Sequence, residues 1–161
     1  MGLILDSSVL IAAEKKTLDI IRLLQEESSG ELIVIAAMTA SELLHGYERA
    51  PAGKRRINRR NFVEEMLRRI PCIAFDLDEA REHARIWAAL EAQGKRIGAH
   101  DLEIAAVCMA HNHRLATLNE HEFQRVPGLQ LVDCRPYTKG VVCLIFYFVF
   151  WLVVLRAGGP N

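Results

Sequence analysis

Five short apolar runs punctuate the chain: Leu3–Leu5, Leu32–Ala36, Ile70–Phe75, Leu115–Leu118 and Leu129–Val132. The Leu32–Ala36 run is continuous rather than alternating, which suits a strand covered on both faces, as in a parallel sheet. Helical spacing fills the intervals. Val9–Ala13 makes a short helix, and Thr17 is placed to cap a second with Leu18, Ile20, Ile21, Leu23 and Leu24 on its apolar face. Ser28-Ser29-Gly30 ends that helix, with Gly30 suited to the left-handed region. Thr39-x-x-Glu42 reads as a capping box opening the next helix. After Pro51-Ala52-Gly53 the spacing predicts a helix over Lys54–Ile70, with Ile57, Val63, Met66, Leu67 and Ile70 on one side. Asp76-x-x-Glu79 repeats the cap pattern and starts a helix that runs to Gln93, stops at Gly94 and places Trp87 in the core. From Ala99 to Ala110 the chain is apolar nearly all round except at His100, Asp101 and Glu103, the mark of a buried helix. His111-Asn112-His113 is its exposed end, and a zinc site there lacks a second ligand cluster. The alternation of strand and helix predicts an α/β fold.

The end of the chain breaks the pattern. Val141 to Leu155 carries no charge. As a helix it would span roughly 22 Å at about 1.5 Å per residue, short of the ~30 Å hydrocarbon core. Lys139 and Arg156 flank it, so a C-terminal anchor is conceivable. That reading ranks below a strand-like, aggregation-prone extension or sequence foreign to the domain, such as a read-through or frameshifted end. The activity of the domain is expected to survive removal of residues 138–161, and no membrane partner is expected.

Composition narrows the class. At 161 residues with 51% hydrophobic content, the chain is expected to form one folded domain. Twenty basic and twenty acidic side chains cancel, so any attraction to nucleic acid must come from local clusters. One such cluster is the seven basic residues between Lys54 and Arg69, including Arg55, Arg56, Arg59 and Arg60. It is either a solvated helix face or a surface for phosphates or a partner, since arginine forks suit phosphate oxygens. Cys72, Cys108, Cys134 and Cys143 form no Cys-x-x-Cys pair. With no secretory leader ahead of the first strand, they are expected to be reduced core residues in a cytoplasmic protein.

Candidate chemistry sits where the runs end. Asp6 follows the first strand, Glu42 begins the helix after the second, and Asp101 lies in the first turn of the buried helix. Each has a bland reading as a capping or dipole-facing acid. A parallel sheet, however, gathers positions beyond its strand ends on one rim. At about 5 Å and an effective dielectric near 20, each like-charge pair would cost roughly 3 kcal/mol. Hard carboxylate oxygens suit Mg²⁺ or Mn²⁺, and such a cation activates water and steadies charge on a phosphodiester.

Four strings bear a family resemblance: Leu3–Ile11, Thr39–Gly46, Ile97–Ala106 and Leu115–Leu129. In this order they resemble PIN-domain ribonuclease toxins of the VapBC type, over residues 1 to about 134. The resemblance implies a three-layer α/β/α sandwich with a central parallel sheet of about five strands. It implies a Mg²⁺-dependent endoribonuclease acting on tRNA or ribosomal RNA to arrest translation, a small antitoxin partner, and a homodimer. Carried over by position, Asp6 and Asp101 are the principal metal ligands and Glu42 completes the acidic cluster. Asn119 stands where many PIN domains have an aspartate, which puts a second metal in doubt. Glu122, with Glu120 beside it, is the nearby acid, and His100 is a candidate RNA contact. Residues 135–161 lie outside the resemblance, as an atypical hydrophobic extension.

The competing reading is a catalytically silent PIN-like module that binds RNA or protein through the Lys54–Arg69 helix. A phosphoacceptor receiver lacks its expected Asp-Asp pair here, and a dinucleotide enzyme lacks its Gly-x-Gly-x-x-Gly loop.

Overall fold

The first apolar run becomes the central strand of a sheet. In the computed structural model, which describes residues 1–28 and 30–138, β1 (Gly2–Leu5) has neighbours on both sides. β2 (Leu32–Ala36) and β3 (Cys72–Ile73) lie on one side, β4 (Arg114–Thr117) and β5 (Leu131–Asp133) on the other. All pairings are parallel, and Ile4 sits in register with Val34 and with Leu115. The readings of the apolar tail and of Cys143 lie outside the described residues.

The strands are apolar on both faces because helices cover both. Leu3, Leu5, Ile33 and Ile35 point into one core with α1 (Ser7–Glu14), α2 (Ile20–Glu27), α3 (Ala37–Glu48) and α4 (Lys54–Arg69). Ile4, Val34 and Leu115 point into the other, against α5 (Leu77–Ala92), α6 (Ala99–Ala110) and the short α7 (Glu120–Phe123). Alternate residues of each strand therefore serve opposite layers. The result is the expected three-layer α/β/α sandwich on a five-stranded parallel sheet.

Several local expectations need correction. Thr17 caps nothing: its hydroxyl donates to the Ala12 carbonyl (3.1 Å), closing α1, while Asp19 caps α2 by accepting from the Arg22 N–H (3.1 Å). The Thr39 capping box does not form, because α3 starts at Ala37 and Thr39 lies inside the first turn. That leaves the fully buried Thr39 hydroxyl without a hydrogen-bond partner among the described residues, and it frees Glu42 for other work. Ile57 is 59% exposed, and α4 buries Phe62, Val63 and Met66 instead. Trp87 is 53% exposed rather than core, since Ile86 and Leu90 carry the buried stripe of α5. Its ring packs edge-on against His83, which does the same with Phe75. Of the described cysteines, Cys108 and Cys134 are buried but Cys72 is exposed on the edge strand. Packing also continues past 134: a 3₁₀ turn at Arg135–Tyr137 returns the buried Tyr137 to α2, where its hydroxyl donates to Glu26 (3.1 Å) and Glu27 (3.0 Å).

Glu79 ties the two helices of the second layer together at the end of the sheet opposite the acids. It is buried, accepts from the Asp76 N–H at 2.9 Å and lies 2.6 Å from His111 Nε2. Burial pushes its carboxyl up, but the backbone N–H groups of Glu79 and Asp76, with His111, outweigh this and hold it below its ordinary value. Because the folded pKa is depressed, this stabilisation is present above the unfolded value and is lost as pH falls through the folded one. Glu79→Gln is expected to cost about 1–3 kcal/mol, read as a lower urea midpoint with unchanged slope.

Candidate active site

The strand order places β1 beside β2 and β4, with chain crossing away on either side, so the crevice at the carboxyl ends of β1 and β4 is a topological switch point. Asp6 stands at that crevice, directly after β1. It is the N-cap residue of α1, yet its carboxylate makes no capping bond. Instead Oδ2 accepts from Ser8 Oγ (2.5 Å) and Thr117 Oγ1 (2.8 Å), the latter at the end of β4. Asp6 is only 4% exposed, and that burial raises its pKa against the pull of those two hydroxyls, with Glu42's charge adding to the rise.

Glu42 lies one turn into α3 and is held from two sides. Ser7 Oγ donates to Oε2 at 2.6 Å, and His100 Nδ1 lies 3.1 Å from Oε1. Three segments distant in sequence thus meet at one carboxylate. Asp101 sits in the first turn of α6, after Gly98, whose missing Cβ would come within 3.0 Å of Asp101 Oδ2. The Asn119 amide donates to that same oxygen at 3.3 Å. Desolvation, then the charges of Asp6, Glu42 and Glu122, push the Asp101 carboxyl up to about 6, against the opposing charge of His100. All four acids therefore lie in one electrostatic neighbourhood.

They are a neighbourhood rather than a cage. Among the described residues, no three His, Cys, Asp or Glu side chains converge closely enough to enclose an ion as they stand. The tight convergence expected of Asp6, Glu42 and Asp101 is thus only partly realised. Ser8 and Thr117, Ser7 and His100, and Asn119 hydrogen-bond the oxygens of Asp6, Glu42 and Asp101 respectively, and so orient them.

Of the two candidates for a fourth position, Asn119 is the one hydrogen-bonded to a site acid among the described contacts. Glu120 acts on Cys134 and Arg135 toward the sheet edge. Glu122 faces Asp101 while pairing with Arg125 at 3.1 Å. The arginines expected to bind RNA divide: Arg56 pairs with Glu48, Arg60 stands exposed near Tyr47, and Arg55 and Arg59 share a hollow with α3. The supporting roles of Ser7 and Thr117 were not legible in the sequence. A buried threonine ending an apolar strand was the available signal for Thr117.

Residues 3–129, which include all four acids, match the family described as the PIN domain. The chain belongs to the PIN domain family. It is 33% identical over 132 residues to "Ribonuclease VapC1" of Rickettsia felis, covering 82% of this chain and 96% of that protein. It is 29% identical over 99 residues to a "tRNA(fMet)-specific endonuclease VapC" of Salmonella typhimurium, covering 62% and 73%. Among solved structures, VapBC2 from Rickettsia felis bound to a promoter DNA fragment superposes with a TM-score of 0.71 at 27% identity, covering 82% of this chain and 98% of that one. Within this PIN domain, no helix of the described residues is long and apolar enough to cross a membrane.

Proposed function

We propose that this PIN domain is a metal-dependent endoribonuclease, the toxin of a type II toxin–antitoxin pair, which arrests translation by hydrolysing tRNA or ribosomal RNA in the cytoplasm. The observation that carries the reading is geometric: hydrogen bonds from β4, α1 and α6 gather Asp6, Glu42 and Asp101 at the sheet's switch point, and helix capping accounts for neither Asp6 nor Glu42. Relatives named as VapC ribonucleases and a VapBC complex of the same fold support the toxin assignment.

The donor set fits a hard divalent cation, Mg²⁺ or Mn²⁺, because it is all carboxylate oxygen. Asp6 and Asp101 would hold it, with Glu42 as the third acid. Such a cation supplies charge neutralisation at the phosphodiester and a more acidic water. The chain's own residues prepare for it. Ser8 and Thr117 fix the orientation of Asp6, Ser7 and His100 fix Glu42, and Asn119 fixes Asp101. With Asn119 uncharged, one cation is the better match than two. Glu122 contributes charge across the crevice, and His100, exposed at its mouth, is positioned to meet RNA. The partner proteins are a small antitoxin and a second copy of this chain.

The test is cleavage of total RNA by the purified chain in Mg²⁺ and in EDTA. Cleavage in Mg²⁺ that ceases on chelation and returns with added metal is expected. RNA binding with no cleavage at any metal concentration would instead establish the silent binding module.

A further inference from the structure

One turn beyond Glu42, on the same face of α3, lies a basic hollow of about 360 Å³. His45, Gly46 and Arg49 line it from α3, and Arg55 and Arg59 from α4. Residues 42, 45, 46 and 49 fall on one helical stripe, so the hollow continues the surface that carries the catalytic acid. No acid lines it. Of the other basic side chains of α4, Arg56 pairs with Glu48, and Arg68 and Arg69 pair with Glu65. Among the described residues, Arg49 and Arg55 form no ion pair.

Arg59 is the built part of this hollow. Its side chain is 20% exposed, and the nearest acid, Glu14, stands 3.7 Å from Nε on one side. Nε is buried and has no hydrogen-bond partner among the described residues. The guanidinium lies against the α3 backbone at Gly46, where a Cβ would come within 2.9 Å of Nη2. Glycine inside a helix is unfavourable by roughly 1 kcal/mol relative to alanine. A helix that was only structural would carry alanine there. Gly46 instead leaves room for a flat arginine beside an open basic hollow.

We propose that this hollow binds a backbone phosphate of the RNA strand whose scissile phosphate lies at the acids, making it a positioning subsite. The ligand rests on the ribonuclease reading above. Seven residues of helix separate Glu42 from Arg49, about 10 Å at roughly 1.5 Å per residue. A stacked strand advances about 3.4 Å per phosphate, so the bound phosphate is about three nucleotides from the cut. The fork geometry of arginine suits phosphate oxygens, and contact with backbone alone positions the strand without reading its sequence.

The experiment measures binding of a labelled single-stranded RNA across a salt series, with every variant made in the cleavage-inactive Asp101→Asn chain. Arg49→Ala/Arg55→Ala, both at exposed positions, is expected to weaken binding roughly tenfold for any sequence and to lower the salt slope by about 0.7. Gly46→Ala gives the second readout. Its methyl displaces the Arg59 guanidinium, so RNA affinity falls roughly threefold while Tm rises about 2–4 °C. A purely structural Gly46 would give the rise without the loss. Unchanged affinity and salt slope in both variants overturns the subsite. So does loss of antitoxin affinity with RNA binding intact, which would assign the hollow to a carboxylate of that partner. If the parent chain cleaves no RNA in Mg²⁺ yet the variants lose RNA binding as stated, the ribonuclease reading fails and the phosphate site stands.

Discussion

Asp101→Asn is expected to lower RNA cleavage by roughly 10²–10³-fold or more and, at the same time, to raise the thermal stability of the metal-free protein. The two effects have one cause. Desolvation and the neighbouring charges of Asp6, Glu42 and Glu122 push the Asp101 carboxyl up to about 6, so its ionised form is unfavourable in the folded chain without a cation. The folded protein binds this proton more tightly than the unfolded one, and metal-free stability therefore falls as pH rises from about 4 to about 6. Discounted for the partial exposure of the group, the loss is about 1 kcal/mol, or about 3 °C in Tm. Asparagine removes the charge and with it that limb of the pH profile. Glu79 and Asp133, whose pKa values are depressed, act in the opposite sense and leave the acid limb in both proteins. Added Mg²⁺ should raise the Tm of the parent with concentration, as a ligand of the folded state does, and barely move that of the variant. Scanning calorimetry in EDTA and in Mg²⁺ at several pH values, beside a cleavage assay, reads all three. A variant less stable than its parent in EDTA would show that Asp101 is a structural capping acid.

The sheet was legible because its signal is redundant. Leu32–Ala36 is apolar at every position, and all but Leu32 are buried, as suits a strand covered on both faces. The buried helix at Ala99–Ala110 was equally plain, since its few polar residues crowd into one turn. Helix starts were less so. Thr17 and Asp19 are both competent caps, and the winner was decided by Thr17 finding a carbonyl of α1 instead. Trp87 was misplaced because Ile86 and Trp87 are adjacent apolar residues about 100° apart on the helix, and the pattern alone does not say which faces inward. In the site, the acids were marked by their positions after strands. Most of their supports were not, because Ser7, Thr117 and Asn119 act across separations of 35, 111 and 18 residues. Nothing local to a serine says that a glutamate from another helix will need it.

Phe123→Ala is expected to have the largest effect on stability, a loss of about 3–5 kcal/mol and about 10–15 °C in Tm. Phe123 is fully buried in the layer of α5 and α6, though it belongs to a helix of only four residues. So short a helix has little stability of its own. The aromatic ring is what fastens α7 to the domain, and α7 follows the Asn119 that donates to Asp101 and carries the Glu122 that faces it. Truncation therefore reaches the chemistry through position as well as through stability. Well below the lowered Tm, cleavage by Phe123→Ala should still fall several-fold, whereas Phe123→Leu, which fills most of the space, should recover both Tm and rate in step. Glu122→Gln separates the two roles, since that side chain is partly exposed: Tm should hold while cleavage drops. Full activity in a folded but destabilised Phe123→Ala chain would mean that the α7 turn is scaffold and that Asp6, Glu42 and Asp101 form the working site without it.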